Sequence, residues 1–281
     1  MPACPIDGKA VAAKIMKRTA RIRAKLKRPP GLAAILVGDD PASHLYVRLK
    51  EKACRKAGVH FEKIIFPAGA AETDVLAAVG ELNRRTDIDA ILVQLPLPTH
   101  LDEDKVIAAM DPAKDVDGFH AANIAALLQG QPRLLPGLAA GIMELIDSTG
   151  VRPTGLTATV VANSRTFYEP LACALVDAGF TTIFLGPDDR RLAEATSAAD
   201  VLIIAVGRPK LITGDMVKPG AVVVDVGTNR LGKKVVGDVD AASVGDVAGH
   251  LTPVPGGVGP VTVAMLMANT VALSAARQGK K

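Results

Sequence analysis

A lysine on the inward side of a helix is the first residue in this chain able to do chemistry. Lys50 lies in the stretch 45–58, whose apolar residues recur at helical spacing and which Gly58 closes. At about 100° per residue, Leu49, Ala53, Ala57, Tyr46 and Cys54 share one face. Arg48, Lys52, Arg55 and Lys56 lie on or toward the other side. Lys50 falls between Ala57 and Cys54, one turn after Tyr46. An ammonium on an inward face loses hydration, and its pKa falls toward the range useful for proton transfer. The bland alternative is a stem packed on the core with its amine reaching solvent. Helix geometry by itself favours that alternative and leaves both open.

The elements around Lys50 predict a parallel α/β sheet. Short apolar strands over 32–37, 60–66 and 90–95 alternate with the Lys50 helix and a helix over 72–85. Ligands in such sheets sit beyond the carboxyl ends of the strands. Three polar loops occupy that kind of position: 39–43, 94–100 and 115–120. Within the last, Asp117 alone reads as a turn residue before Gly118. A second α/β block starts near residue 122, with strands over 157–162, 181–185, 201–206 and 221–226. Pro170 is suited to open its first helix, which Gly179 ends. The block is Rossmann-like, although Gly-x-Gly-x-x-Gly is absent. The run Thr252-Pro253-Val254-Pro255-Gly256-Gly257-Val258-Gly259-Pro260 precedes a long terminal helix over 261–276. So many Pro and Gly there imply either a fixed loop that approaches a ligand closely or an ordinary rigid connector.

Composition narrows the function classes. The chain has 281 residues and is 49% hydrophobic, enough to bury one large core or two ordinary ones. Aromatics at 3% argue against a base-stacking surface, so no nucleic-acid partner is expected. The net charge of +4 is that of a soluble surface. Cys4, Cys54 and Cys173 are too scattered for a metal site or disulfide framework, and free thiols suit a reducing cytoplasm. No secretory signal and no apolar stretch near membrane-spanning length is read, so neither is a membrane partner.

Six segments, in order, give the chain a resemblance to the bifunctional methylenetetrahydrofolate dehydrogenase/methenyltetrahydrofolate cyclohydrolase family. They are 37–43 (VGDDPAS), 46–50 (YVRLK) with 52–54 (KAC), 91–98 (ILVQLPLP), 114–120 (KDVDGFH), 214–221 (GDMVKPGA) and 252–260 (TPVPGGVGP). The resemblance covers nearly the whole length. It implies an α/β fold of two lobes with the active site in the cleft between them, and a homodimer. The folate-binding lobe would be 1–121, with 253–281 packing back onto it, and the Rossmann-type nucleotide lobe 122–252. It implies that Lys50 is the catalytic lysine, Gln94 its hydrogen-bond partner, and Tyr46 a catalytic neighbour lining the folate pocket. Asp117 would hold the pterin, and Gly256, Gly257 and Pro260 would close over the folate. Tetrahydrofolate would be the one-carbon carrier. The NADP or NAD side would involve Ser164, Arg165, Asp188, Gly207 and Thr228.

The departures from the family pattern cluster on that cofactor side. Pro136-Gly137-Leu138-Ala139 stands where the family has Pro-Cys-Thr-Pro. Residues 162–170 (ANSRTFYEP) stand where it has Gly-Arg-Ser-x-x-Val-Gly-x-Pro. A glycine in a phosphate loop lets the backbone approach a pyrophosphate. Tyr168 is expected to put a large ring there, and Glu169 a negative charge. The end of the second strand carries Asp188 and Asp189 instead of a Cys-His-Ser-x-Thr-like stretch. The sequence therefore reads foremost as a cyclohydrolase interconverting 5,10-methenyl- and 10-formyltetrahydrofolate, with an impaired cofactor side. The alternatives are a full bifunctional enzyme with altered cofactor preference and a non-catalytic folate- or partner-binding paralogue.

Overall fold

A computed structural model describes residues 2–232 and 234–279. In chain order the elements are β1 (Cys4–Pro5), α1 (Gly8–Arg23), β2 (Gly31–Val37), α2 (Pro41–Ala57), β3 (His60–Phe66), α3 (Glu72–Arg84), β4 (Ala90–Val93), α4 (Glu103–Ala108), α5 (Ala121–Leu128) and α6 (Gly137–Asp147). There follow β5 (Thr157–Ala162), α7 (Arg165–Ala178), β6 (Thr181–Leu185), α8 (Leu192–Ser197), β7 (Val201–Ala205), β8 (Val222–Asp225), the β9–β10 hairpin (Asn229–Leu231 and Lys234–Val236), α9 (Ala241–Gly245), β11 (His250–Leu251) and α10 (Val258–Gly279).

The chain forms two compact units, Lys14–Gly137 with Val263–Lys281 and Met1–Ala13 with Leu138–Thr262. In the first, the strands run parallel in the order β3-β2-β4, and Asp115 bridges to Ile91 beyond β4. All seven residues of β2 are buried, as a central strand covered on both faces requires. The second half of α10 is fastened here by polar side chains. Asn269 Nδ2 donates to the carbonyls of Val116 and Leu135, both at 3.2 Å. Ser274 Oγ donates to Asp89 at 2.8 Å. The fully buried Asp89 also accepts the fork of Arg28, two bonds of 2.7 Å, and the amide of Gly31 at 3.0 Å.

The other unit holds a six-stranded parallel sheet in the order β1-β11-β8-β7-β5-β6. Val160, Val161, Ile203, Ile204, Val223 and Val224 are fully buried along its centre. This is the continuous apolar pattern of strands covered on both faces.

Four expectations differ from what is found. Residues 1–13 join the six-stranded unit, because β1 adds a parallel edge strand to β11. The break falls at 137/138 rather than 121/122, and residues 253–262 stay with the six-stranded unit. Pro170 lies inside α7; Ser164 caps that helix six residues earlier, its Oγ accepting from Thr166 N at 3.1 Å. Finally, α10 is long and apolar enough to cross a membrane by length and composition, but 61% of its most apolar window is buried inside the protein.

Candidate active site

The geometry around Lys50 starts with how α2 is held. Asp40 caps it, accepting from both the amide and the hydroxyl of Ser43 at 2.8 Å, and Pro41 opens the first turn. Gly58 ends it in the left-handed conformation at φ 66°. The buried residues of α2 are Ser43, Val47 and Cys54, and Lys50 falls on that same stripe, three residues after Val47 and four before Cys54. The buried face is therefore rotated from the expected one. Leu45, Tyr46 and Leu49 are exposed, Tyr46 by 48%. Tyr46 stands one turn before Lys50, with its ring open to solvent.

Lys50 Nζ donates to Gln94 Oε1 at 2.8 Å. Gln94, only 9% exposed, follows β4 directly. Its Nε2 donates to the Leu95 carbonyl at 2.8 Å, which turns the amide oxygen toward the lysine. The Leu95–Pro96 peptide is cis. Burial draws the Lys50 pKa down from the usual lysine value, and the charge of Asp117 partly opposes it.

Asp117 is presented by a loop that the chain fixes on both sides. The buried Lys114 ammonium donates to the carbonyls of Leu82 and Arg85, each at 2.6 Å, and burial lowers its pKa to about 8. Asp115 accepts from the amides of Gly118 at 3.0 Å and His120 at 2.8 Å and from Asn123 Nδ2 at 2.9 Å. Asp117 accepts no hydrogen bond among the described residues. Burial pushes its pKa up to about 6, with Lys50 pulling down and Asp115 pushing up. Sequence reasoning missed Lys114 and Asp115 as positioning residues, although both stand in the segment it matched.

Gly256, Gly257 and Pro260 belong to the other unit. Gly257 donates to the Pro253 carbonyl at 2.8 Å, and Pro260 sits in the first turn of α10. The loop backs onto Gly8, where a Cβ would lie 1.8 Å from the Gly257 carbonyl oxygen. Thr252 Oγ1 accepts from the Asp225 amide at 2.8 Å, so the loop is also tied to β8. Gly8 was not singled out from the sequence; its signal, Asp-Gly at a helix start, is common.

Ser164, Arg165, Asp188, Gly207 and Thr228 all follow the carboxyl ends of strands β5 to β8. Two buried carboxylates set the loops that carry the last two. Asp225 accepts from the amides of Gly227, Asp238 and Val239 at 2.9 to 3.0 Å, and burial raises its pKa to about 6. Asp238 accepts from Val206 N at 2.7 Å, Gly207 N at 3.0 Å and Asn229 Nδ2 at 2.8 Å. The first-turn amides of α7 at Arg165 and Phe167 have no protein acceptor among the described residues, and helix N-termini of this kind bind phosphate. These donors fit a dinucleotide. The Tyr168 ring does not fill the loop as expected. It packs on Phe184 of β6, ring centroids 4.7 Å apart, with its hydroxyl 3.1 Å from Thr182 Oγ1. The helix carries residue 168 on the face that packs against β6.

Two family models match. Residues 6–117 match the tetrahydrofolate dehydrogenase/cyclohydrolase catalytic domain, and 136–278 match the NAD(P)-binding domain of the same family. The chain is 51% identical over 275 residues to the bifunctional protein FolD of Bordetella avium, covering 96% of this chain and 97% of that one. It is 48% identical to the bifunctional protein FolD of Dechloromonas aromatica, covering 99% and 100%. Among solved structures, it is similar to the Campylobacter jejuni bifunctional FolD methylenetetrahydrofolate dehydrogenase/cyclohydrolase at TM-score 0.94, 39% identity and 98% and 99% coverage. It is equally similar, at TM-score 0.94 with 33% identity over the whole of both chains, to the Trypanosoma brucei FolD solved with NADP and an inhibitor. This chain, with both domains in family order, belongs to the tetrahydrofolate dehydrogenase/cyclohydrolase family.

Proposed function

We propose that this chain is a bifunctional one-carbon enzyme, oxidising 5,10-methylenetetrahydrofolate with a nicotinamide cofactor and hydrolysing the resulting 5,10-methenyltetrahydrofolate to 10-formyltetrahydrofolate. The observation that carries it is the Lys50 side-chain nitrogen, held at 2.8 Å by a fixed Gln94, with the unbonded carboxylate of Asp117 close enough to influence it. Tyr46 beside Lys50 offers an exposed ring for the folate to pack on. Asp117 accepts two parallel hydrogen bonds from the amino-pyrimidine edge of the pterin.

In the hydrolysis, water adds to the cationic methenyl carbon while Lys50 Nζ takes one of its protons. The C–N5 bond then breaks as N5 gains a proton and the carbinol oxygen loses one, leaving the formyl group on N10. One proton is released overall. Burial favours the neutral amine that this step needs, and the Gln94 oxygen aims it. In the oxidation, a bound nicotinamide cofactor would supply the hydride acceptor. The chain's part is to seat the pyrophosphate at the α7 N-terminus, with Ser164 and Arg165, and to line the rest of the cofactor with Asp188, Gly207 and Thr228.

The expected impairment of the cofactor side is set aside. One physical reason for it was the Tyr168 ring, which lies on Phe184, and the relatives that are about half identical are named as bifunctional. Gly256, Gly257 and Pro260 form the rigid loop proposed to flank the folate. A homodimer in the cytoplasm completes the reading; three unpaired cysteines suit that setting, and sedimentation of the purified chain checks the dimer.

The test supplies methenyltetrahydrofolate and follows loss of its absorbance, then methylenetetrahydrofolate with NAD+ or NADP+. Turnover in both assays is expected. Hydrolysis without hydride transfer would return the reading to a monofunctional cyclohydrolase, and turnover in neither would leave a folate-binding paralogue.

A further inference from the structure

We propose that the dinucleotide site of this chain selects NAD over NADP, with Asp188 as the discriminating residue. The proposal rests on the dehydrogenase reading above and deepens it. Asp188 lies three residues past the end of β6, the strand that follows the phosphate-binding turn and α7. At that place in a nucleotide-binding sheet an acid accepts from the ribose hydroxyls, whereas a cation accommodates a 2′-phosphate. The Asp188 side chain is open to solvent and held in one orientation by Arg208, whose fork donates to both oxygens at 2.6 and 2.7 Å. Each oxygen keeps a further lone pair for a hydroxyl donor. Arg208 also holds the carboxyl below the usual range, so it is ionised at neutral pH.

Several of the other cations nearby are committed elsewhere. Asn163 stands where the family pattern has arginine, and its amide is turned inward onto the Val206 carbonyl at 2.8 Å. The Arg165 guanidinium lies 5.8 Å from the centre of the Phe184 ring. Arg191 is paired with its neighbour Asp189 at 3.0 and 3.2 Å. Arg190 has no partner among the described residues, and neither has Arg230, two residues past Thr228. A 2′-phosphate beside Asp188 would meet two carboxylates, Asp188 and Asp189, and could gain Arg208 only by breaking its pair with Asp188. A ribose with a free 2′-hydroxyl donates to Asp188 and leaves the Arg208 pair intact.

Calorimetric titration of the purified chain with NAD+ and with NADP+ tests this, beside Asp188→Ser and Arg190→Ala variants. Both residues are on the surface, and thermal midpoints check that the variants fold. The wild type is expected to bind NAD+ about tenfold or more tightly than NADP+, and Asp188→Ser to shift the ratio toward NADP+ by at least about as much. A wild type that prefers NADP+, a preference that disappears in Arg190→Ala, or a ratio unmoved in Asp188→Ser would each overturn the proposal. So would failure to bind either nucleotide at millimolar concentration. Preferential NAD+ binding without hydride transfer would instead support the proposal while sinking the dehydrogenase reading.

Discussion

At the scale of single residues, the roles proposed for Lys50 and Asp117 can be separated. Lys50→Met removes the group that moves the proton, so hydrolysis of methenyltetrahydrofolate should fall by about 100-fold or more. The thermal midpoint should stay within a few degrees, since Lys50 is only half-buried. A variant that hydrolyses normally would remove Lys50 from the mechanism. Asp117 makes a different prediction. Only an ionised carboxylate could accept both of the proposed pterin hydrogen bonds, and burial pushes the Asp117 pKa up to about 6. As pH falls through that value the acceptor is lost, so KM for the folate should rise below about pH 6 while remaining level above it. Asp117→Asn should have a raised KM and lose that pH dependence; steady-state kinetics from pH 5 to about 8 reads both. That Lys50, Gln94 and Asp117 belong together was legible in the sequence through the matched segments, and the structure brings Lys50 and Gln94 into contact. The role of Lys114 and Asp115 was not legible, because nothing local says that Lys114 reaches the carbonyls of Leu82 and Arg85.

At the scale of elements, α2 and α7 show where periodicity succeeds and fails. The existence of α2 follows from its cap, its proline and its closing glycine, all local signals. Which stripe is buried does not, because Leu45, Tyr46 and Leu49 are as apolar as Val47 and Cys54. The sheet beneath the helix chooses the stripe, and it chooses one that includes Lys50. In α7 the Tyr168 ring serves packing on β6. Tyr168→Ala should therefore cost about 1–2 kcal/mol of stability in urea unfolding and leave nucleotide affinity unchanged. A variant that keeps its stability and binds nucleotide more tightly would show that the ring obstructs the phosphate site.

At the scale of the whole molecule, α10 begins in one unit and ends in the other, and Asp89 anchors its second half. Asp89→Ala would strand Arg28 and the Gly31 amide and leave Arg277, whose buried Nε has no hydrogen bond, without its nearest carboxylate. The expected cost is about 3–5 kcal/mol, with faster hydrogen exchange along the second half of α10. Unchanged exchange there would show that apolar burial alone holds the helix. The sequence by itself determined the α/β class, the strands, the family and the identity of the catalytic candidates, because those rest on local apolar runs and on residues met in order. Tertiary structure alone decided that residues 1–13 join the six-stranded unit, that Tyr168 lies on Phe184 and that Asp188 holds Arg208. Each of those depends on partners distant in the chain, and the direction of a side chain is set by what packs against it.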